Sequence, residues 1–216
     1  YNPEKPGDTV RLWVAAQEKI NLDKKVRFFK THNALVKIGQ NDFTNRKNSL
    51  GGIYIVRDPR NALDSMSRHF QINNDRDIDV MQNEKNYIYD FQKKNDYSDY
   101  QFISSWAKNY QSWKNNKLMP VKFLKYEDLL NETFFVFKEI IEFIDKLTNS
   151  KKGFSREKAK NAVGSTSFEN LKKIEEMKGF GESIISREEK KKIPFFHLGP
   201  KNEWEKNFVN KFFDKF

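Results

Sequence analysis

The strongest constraint on the fold is an apolar segment that ends in an Arg-Asp-Pro sequence. Residues 52–56 (Gly-Ile-Tyr-Ile-Val) contain β-branched and aromatic side chains and no charge, which is typical of a strand buried on both faces. Asp58 and Pro59 come directly afterwards, and these residue types are preferred at the N-cap and at the first position of a helix. A strand that leads straight into a helix predicts one unit of an α/β fold.

Further strands and helices are predicted to alternate along the chain. Two more segments have the composition of strands, at residues 26–30 and 121–126. Apolar side chains recur every three or four residues, as on one face of a helix, in the segments 62–70, 102–113 and 134–147. Thr166-Ser167-Phe168-Glu169 has the spacing of a capping box and predicts another helix. This alternation indicates an α/β architecture with a mostly parallel sheet.

The length of the chain indicates its domain organisation. With 216 residues the chain is long enough to bury one substantial core, so we expect residues 1–216 to form a single domain. Residues 71–99 interrupt the alternation and are rich in Asn, Asp and Gln. We interpret them as a long loop or a partly helical lid.

Composition excludes several classes of protein. The chain has no cysteine, which excludes disulfides, thiolate metal sites and cysteine nucleophiles, and its three histidines are too scattered to predict a metal site. The mean hydropathy is -0.87, and no apolar run approaches the ~20 residues that a transmembrane helix needs. The first residues form neither the basic n-region nor the apolar h-region of a signal peptide. We therefore expect a cytoplasmic protein with no membrane partner.

The positive charge favours an anionic partner without identifying it. The chain has 40 Lys and Arg residues against 30 Asp and Glu residues, a formal charge of +10. Nucleic acid, a nucleotide, or a sulfated or phosphorylated substrate would each suit this charge, and so would a lysine-rich surface with no specific ligand. The sequence contains no nucleic-acid-binding motif and no Gly-rich loop that ends in Lys-Ser or Lys-Thr. A basic nucleic-acid-binding module, or a non-catalytic nucleotide-binding module, is the alternative to an enzyme.

Arg57 is the strongest candidate residue for an anion-binding site. It lies between a predicted strand and the N-terminus of a predicted helix, where a guanidinium and unpaired N–H groups both attract anions such as phosphate. Ser65, further along the same helix, could add a hydroxyl to this site. The alternative is that Arg57 only forms an ion pair with Asp58 or Asp64.

Lys30 and His32 are candidates for catalysis. They end the first predicted strand and lie two residues apart, a spacing at which side chains at a strand end can point to the same side. A neutral imidazole suits a general base, and a nearby ammonium would stabilise developing negative charge. A structural or merely exposed histidine is the alternative.

Five segments of the chain, taken together and in order, resemble motifs of the PAPS-dependent sulfotransferases. They are Phe29-Lys30-Thr31-His32, residues 54–65, residues 125–129, residues 166–172 and residues 199–204. The resemblance implies a three-layer α/β fold like that of the P-loop NTPases. It also implies transfer of a sulfuryl group from 3′-phosphoadenosine-5′-phosphosulfate (PAPS) to an acceptor hydroxyl or amine, without a metal.

The resemblance assigns roles to the candidate residues. His32 matches the base that deprotonates the acceptor, and Lys30 matches a lysine that stabilises the transferring sulfuryl group. Arg57 and Ser65 match the pair that holds the 3′-phosphate. Tyr126 matches a residue on the adenine side of the nucleotide.

The C-terminal motifs complete this assignment. The segment that packs on the adenine is matched by Thr166, Ser167 and Phe168. Gly199 and Trp204 match a loop that closes over the 3′-phosphate. The family usually has Arg-Lys before the glycine of this loop, whereas this chain has His197-Leu198, and Lys201 or Lys206 is a candidate to supply the missing cation.

One motif of the family is not found. The family opens with a strand and a Pro-Lys-Ser-Gly-Thr-Thr-like loop that binds the 5′-phosphosulfate, and residues 5–9 (Lys-Pro-Gly-Asp-Thr) resemble it only faintly. We therefore expect an N-terminally truncated domain whose own activity is in question.

The acceptor is expected to be a small molecule or a carbohydrate. Residues 71–99 are polar and aromatic, which favours a polar acceptor over a steroid-like one. No nucleic-acid partner is expected, and a homodimer is compatible with the sequence.

Overall fold

The computed structural model of the protein describes residues 5–71, 74–89, 100–186, 190–197 and 199. These residues contain both helices and short strands, and they alternate only in part, since four helices follow one another after the sixth strand. The N-terminal half contains α1 (Pro6–Ile20), a 3-10 turn (Asn21–Asp23), β1 (Lys37–Ile38), β2 (Asn41–Asp42), β3 (Gly52–Val56), α2 (Pro59–Phe70), α3 (Asn74–Gln82), β4 (Tyr87–Ile88) and β5 (Gln101–Phe102). The C-terminal half contains α4 (Trp106–Lys114), β6 (Val121–Lys125), α5 (Tyr126–Asn131), α6 (Thr133–Thr148), α7 (Arg156–Ser165), α8 (Phe168–Lys178), β7 (Ile184–Ile185) and β8 (Lys192–Ile193).

The longest strands, β3 and β6, pair with each other in parallel. At the start of both strands the Gly52 N–H donates to the Pro120 carbonyl at 3.0 Å, and beyond their ends the Asp58 N–H donates to the Glu127 carboxylate at 3.1 Å. Both strands were predicted from the sequence, and the prediction of an α/β chain with a parallel sheet is confirmed. The other three pairings in the described residues are short and antiparallel: β1 with β2, β4 with β5, and β7 with β8.

The prediction that residues 52–56 are buried on both faces is wrong. Ile53 and Ile55 are 38% and 54% exposed, whereas Tyr54 packs against the rings of Trp113 and Phe123. Successive side chains of a strand point to opposite faces of its sheet. Only one face of β3 is therefore covered in the described residues, and the apolar side chains on the other face are exposed.

The predicted strand at residues 26–30 is also wrong. Residues 24–34 have no regular secondary structure, and Val26, Phe28 and Phe29 are 53%, 72% and 68% exposed. A strand is stable only when a neighbour pairs with its N–H and C=O groups, and a short apolar run does not specify that neighbour.

Most predicted helices are found, with boundaries decided by their caps. The helices predicted at residues 62–70 and 134–147 correspond to α2 and α6. The helix predicted over residues 102–113 begins only at Trp106, because the Ser105 hydroxyl caps it and Phe102 lies in β5. The cap of α8 is Ser167, which accepts from the Asn170 N–H, and not Thr166 as the capping box predicted.

The segment at residues 71–99 is partly helical, as expected, because it contains α3 and the short strand β4. Residues 72–73 and 90–99 of that prediction lie outside the described residues.

The described residues form two compact units. The first unit contains residues 5–54, 79–89, 100–123 and 143–151. The second unit contains residues 55–71, 74–78, 124–142, 152–186, 190–197 and 199. Val10, Trp13, Ala34 and Trp113 are buried in the first unit, and Leu63, Ile78, Leu124, Val136 and Ala159 in the second. That residues 1–216 form one domain stays a prediction. None of the described helices has the length and hydrophobicity that crossing a bilayer requires.

Gly51, just before β3, is expected to tolerate no side chain. A Cβ at this position would lie 2.5 Å from a methyl group of Leu147 and 3.0 Å from the Pro120 carbonyl oxygen. Gly51→Ala should therefore lower the free energy of unfolding by about 1–3 kcal/mol, measured by urea denaturation. The control is Gly7→Ala in α1, where the described residues place no atom within 4 Å of the new Cβ. This control should be neutral or stabilise the protein by up to about 1 kcal/mol, and equal destabilisation by both changes would contradict the steric explanation.

Candidate functional site

Arg57 lies at the carboxyl end of a parallel strand, where the sequence placed the anion site. β3 ends at Val56 and α2 begins at Pro59, so Arg57 occupies the turn between them. Its Nη1 donates to the Ser65 hydroxyl at 3.1 Å, and its guanidinium carbon lies 4.6 Å from the centre of the Tyr126 ring. Arg57 therefore contacts two other residues that were proposed from the sequence for the same nucleotide.

The Nε atom of Arg57 is the unusual feature of this cluster. It is buried, and no described residue accepts a hydrogen bond from it. A buried donor without an acceptor costs free energy, because burial removes water without replacing its hydrogen bond. An anionic oxygen bound beside the guanidinium would satisfy this donor.

A cleft with about 420 Å³ of empty space lies beside Arg57. Arg57, Asn61, Tyr126, Glu127, Leu130, Asn131 and Gly199 line it. Arginine, asparagine and backbone groups can all donate to an anion. The carboxylate of Glu127 already accepts from the Asp58 N–H, which gives it a structural partner.

The carboxylate of Asp58 binds Arg60. It therefore does not form the ion pair with Arg57 that was the alternative explanation of Arg57 in the sequence. Asp58 accepts from the backbone N–H, Nε and Nη2 of Arg60 at 2.9, 2.9 and 2.6 Å. These hydrogen bonds from Arg60 hold the pKa of Asp58 below its ordinary value. Asp58 thus caps α2 and occupies a donor at its N-terminus. Because one N–H group at the N-terminus of α2 is already occupied, the guanidinium of Arg57 is expected to attract an anion more strongly than the helix N-terminus does.

The charge of Asp58 is expected to stabilise the protein at neutral and mildly acidic pH and to lose this effect in strong acid. Since its pKa is lowered on folding from an ordinary value of 3.8, its stabilisation is present above that value and is lost as the pH falls through the folded-state pKa. Asp58→Asn keeps the cap and removes the charge. The wild type should be more stable than Asp58→Asn by about 0.5–1 kcal/mol near pH 7, and this difference should shrink in urea unfolding as the pH is lowered below 3.8. A difference that is independent of pH would contradict a role for the charge.

Gly199 lines the cleft, and no other residue fits in its place. Its φ is +53°, and a Cβ there would lie 2.4 Å from Cε2 of Phe168. Phe168 is the first residue of α8, so the cap of that helix sets the position of the ring. The structure thus brings Phe168, Gly199 and Arg57 to one region of the second unit.

Two other predicted residues have local structural contacts. The Thr166 hydroxyl donates to the Ala162 carbonyl at 2.7 Å, and the Ser167 hydroxyl accepts from the Asn170 N–H at 3.3 Å. Both lie next to Phe168 and position it. Lys201, Trp204 and Lys206 lie outside the described residues.

His32 and Lys30 belong to the first unit and lie in the irregular segment 24–34, where both are exposed. The backbone of His32 is held on both sides. Its N–H donates to the Gln101 side-chain oxygen at 2.6 Å, and its carbonyl accepts from Nδ2 of Asn109 at 3.1 Å. Because no strand exists at residues 26–30, strand alternation does not set the direction of these side chains.

Asn109 is a residue that sequence reasoning missed. This buried amide donates to the carbonyls of His32 and Ile103 and accepts from the Tyr54 hydroxyl at 3.0 Å. Burial raises the pKa of Tyr54 to about 12, so its hydroxyl remains a donor at neutral pH. The only signal in the sequence was a polar residue on the apolar face of a helix, and this signal does not identify the partners.

Comparison with known proteins identifies a family for this chain. A family model described as "Sulfotransferase domain" matches residues 13–216. No curated protein gives a significant match. In the described part of the chain, no group of three or more His, Cys, Asp or Glu side chains could hold a metal ion.

Proposed function

The chain belongs to the sulfotransferase domain family, and from this premise we propose that it moves a sulfuryl group from PAPS to an acceptor hydroxyl or amine. The proposal includes the three-layer, P-loop-like arrangement that the resemblance implies. It assigns the 3′-phosphate of the nucleotide to the cleft beside Arg57.

The observation that carries the proposal is the buried Nε of Arg57, to which the described part of the chain offers no acceptor. A phosphate has several strong acceptor oxygens and a charge near −2, so it can accept from Nε while Nη1 stays on Ser65. Asn61 and Asn131 line the same cleft and offer amide donors. The residues present therefore fit a phosphate group.

The adenine is assigned to the aromatic side of the cleft. Tyr126 lines the cleft, and Phe168 lies directly behind Gly199. Aromatic rings are favourable surfaces for a nucleobase, because stacking on them is worth about 1–3 kcal/mol per base. Thr166 and Ser167 contribute through the helix start that positions Phe168.

His32 and Lys30 are proposed as the catalytic pair. PAPS, when bound, supplies the sulfuryl group, whose bond to the 5′-phosphate breaks as the acceptor oxygen or nitrogen bonds to sulfur. The imidazole of His32 takes the proton of the acceptor, and the ammonium of Lys30 stabilises the charge on the transferring group. The hydrogen bonds that its backbone N–H donates to Gln101 and that its carbonyl accepts from Asn109 support His32 in this role.

The acceptor is proposed to be a small polar molecule or a carbohydrate. The support is the polar and aromatic composition of residues 71–99, where Tyr87 and Tyr89 both contact Tyr100. Tyrosine rings stack on sugars and their hydroxyls form hydrogen bonds, which suits a polar acceptor.

Nucleotide selectivity tests the proposal. Adenosine 3′,5′-bisphosphate should bind at least about tenfold more tightly than adenosine 5′-monophosphate in isothermal titration calorimetry, because only the former has the phosphate that Arg57 recognises. Equal affinity for both nucleotides would contradict the proposal. Salt-dependent binding of DNA without this selectivity would instead support the nucleic-acid-binding alternative.

A further inference from the structure

Glu175, in α8, is a buried carboxylate to which the proposed reaction gives no role. It is 6% exposed, although it lies in the charged run Lys172-Lys173-Ile174-Glu175-Glu176. Burying a carboxylate is costly unless its oxygens accept hydrogen bonds. The partners of Glu175 should therefore show what it does.

Both oxygens of Glu175 bind the segment that leads to Gly199. Oε1 accepts from the Ser183 hydroxyl and from the Phe195 N–H at 2.8 Å, and Oε2 accepts from the Phe196 N–H at 2.9 Å. Burial acts to raise the pKa of Glu175, but these hydrogen bonds together hold it below its ordinary value. The group is thus ionised at neutral pH, and it spans two successive backbone N–H groups.

The rings of the bound segment extend this contact to the cleft. Phe195 and Phe196 lie 4.9 and 5.0 Å from the Phe180 ring, and Phe196 lies 6.2 Å from Phe168. Three residues after Phe196, Gly199 packs against Phe168 and lines the cleft beside Arg57. One carboxylate therefore fixes the backbone that delivers Gly199.

We propose that Glu175 is a positioning residue that, by holding Phe195 and Phe196, sets the position of Gly199 beside the 3′-phosphate of the bound nucleotide. The proposal rests on the proposed function, because it assumes that this phosphate occupies the Arg57 cleft. Glu175 does not contact the nucleotide. It acts through Phe195 and Phe196. The N–H groups of these two residues each need an acceptor, and the two oxygens of one carboxylate supply both.

Glu175→Gln, compared with Glu176→Gln, tests this role. The glutamine keeps one acceptor oxygen but presents an NH₂ group to the second backbone N–H, which then loses its partner. Glu176 is the next residue and is exposed, so Glu176→Gln makes the same chemical change without these contacts. The measurement is the ratio of the dissociation constants of adenosine 5′-monophosphate and adenosine 3′,5′-bisphosphate in the full chain.

Glu175→Gln should reduce this ratio about tenfold, and Glu176→Gln should leave it within about twofold of the wild type. A merely structural role would weaken both nucleotides equally and leave the ratio unchanged. If the wild type is selective and Glu175→Gln has the same ratio of dissociation constants, the role of Glu175 is overturned and the proposed function stands. A wild type without selectivity overturns the proposed function as well.

A second measurement uses the wild type and does not depend on the folding of the variant. Amide hydrogen exchange at Phe195 and Phe196 should slow when adenosine 3′,5′-bisphosphate binds and should not change with the 5′-monophosphate, because coupling between two sites is reciprocal. Equal protection by both nucleotides, or by neither, overturns the proposal.

Discussion

Replacing Arg57 by alanine is expected to weaken the binding of adenosine 3′,5′-bisphosphate by about 1.5–3 kcal/mol, because the change removes the hydrogen bonds of a half-buried cation to its anionic partner. The loss includes the Nε donor that no described residue satisfies and the Nη1 contact with Ser65. Calorimetric titration of the variant measures it. The melting temperature of the variant should likewise no longer rise when the bisphosphate is added.

Arg156→Ala is the matched control for this prediction. The guanidinium of Arg156 lies 5.7 Å from the centre of the Phe134 ring, a contact like that of Arg57 with Tyr126, and Arg156 does not line the cleft. Both variants lose one positive charge, but only Arg57→Ala should lose affinity. If both lost affinity to the same extent, overall charge rather than a site at Arg57 would explain binding.

His32→Gln is expected to lower kcat by about 10²–10⁴-fold, the usual contribution of a positioned general base. The formation of adenosine 3′,5′-bisphosphate from PAPS, with a panel of hydroxyl and amine acceptors, measures this rate. The affinity for the bisphosphate should stay within about twofold of the wild type, because a base that acts only in the chemical step adds little to ground-state binding.

His69→Gln in α2 makes the same substitution at another histidine; its ring lies 6.3 Å from that of Phe195, and the variant should lower kcat far less than His32→Gln does. A His32→Gln variant with the wild-type rate would remove His32 from the mechanism. A variant that loses nucleotide affinity and rate together would indicate a role in binding instead.

Local chemistry in the chain was enough to predict the strand, turn and helix that place Arg57. Apolar residues 52–56, the cap at Asp58 and Pro59 interact with their neighbours in sequence, so the strand, the turn and α2 are found as predicted. Arg57 is placed by these same local preferences. The helix spacing in residues 134–147 is equally local, and α6 includes that segment.

Predictions that needed a partner distant in sequence were less successful. The apolar run at residues 26–30 forms no strand, and the cap of α8 lies one residue later than the capping box indicated. For the same reason the exposure of Ile53 and Ile55 was not expected, since burial depends on which elements cover a face.

Which residues meet at the cleft was decided by tertiary packing alone. Gly199 fits against Phe168 only because two segments that are far from each other and from Arg57 in sequence approach closely. Glu175 is buried only because Phe195 and Phe196 present their N–H groups to it. Residue preferences act over a few positions along the chain, whereas the burial of a charge and the close approach of two backbones depend on the whole arrangement. The strand, the cap and Arg57 could therefore be predicted from the sequence, whereas the role of Glu175 could not.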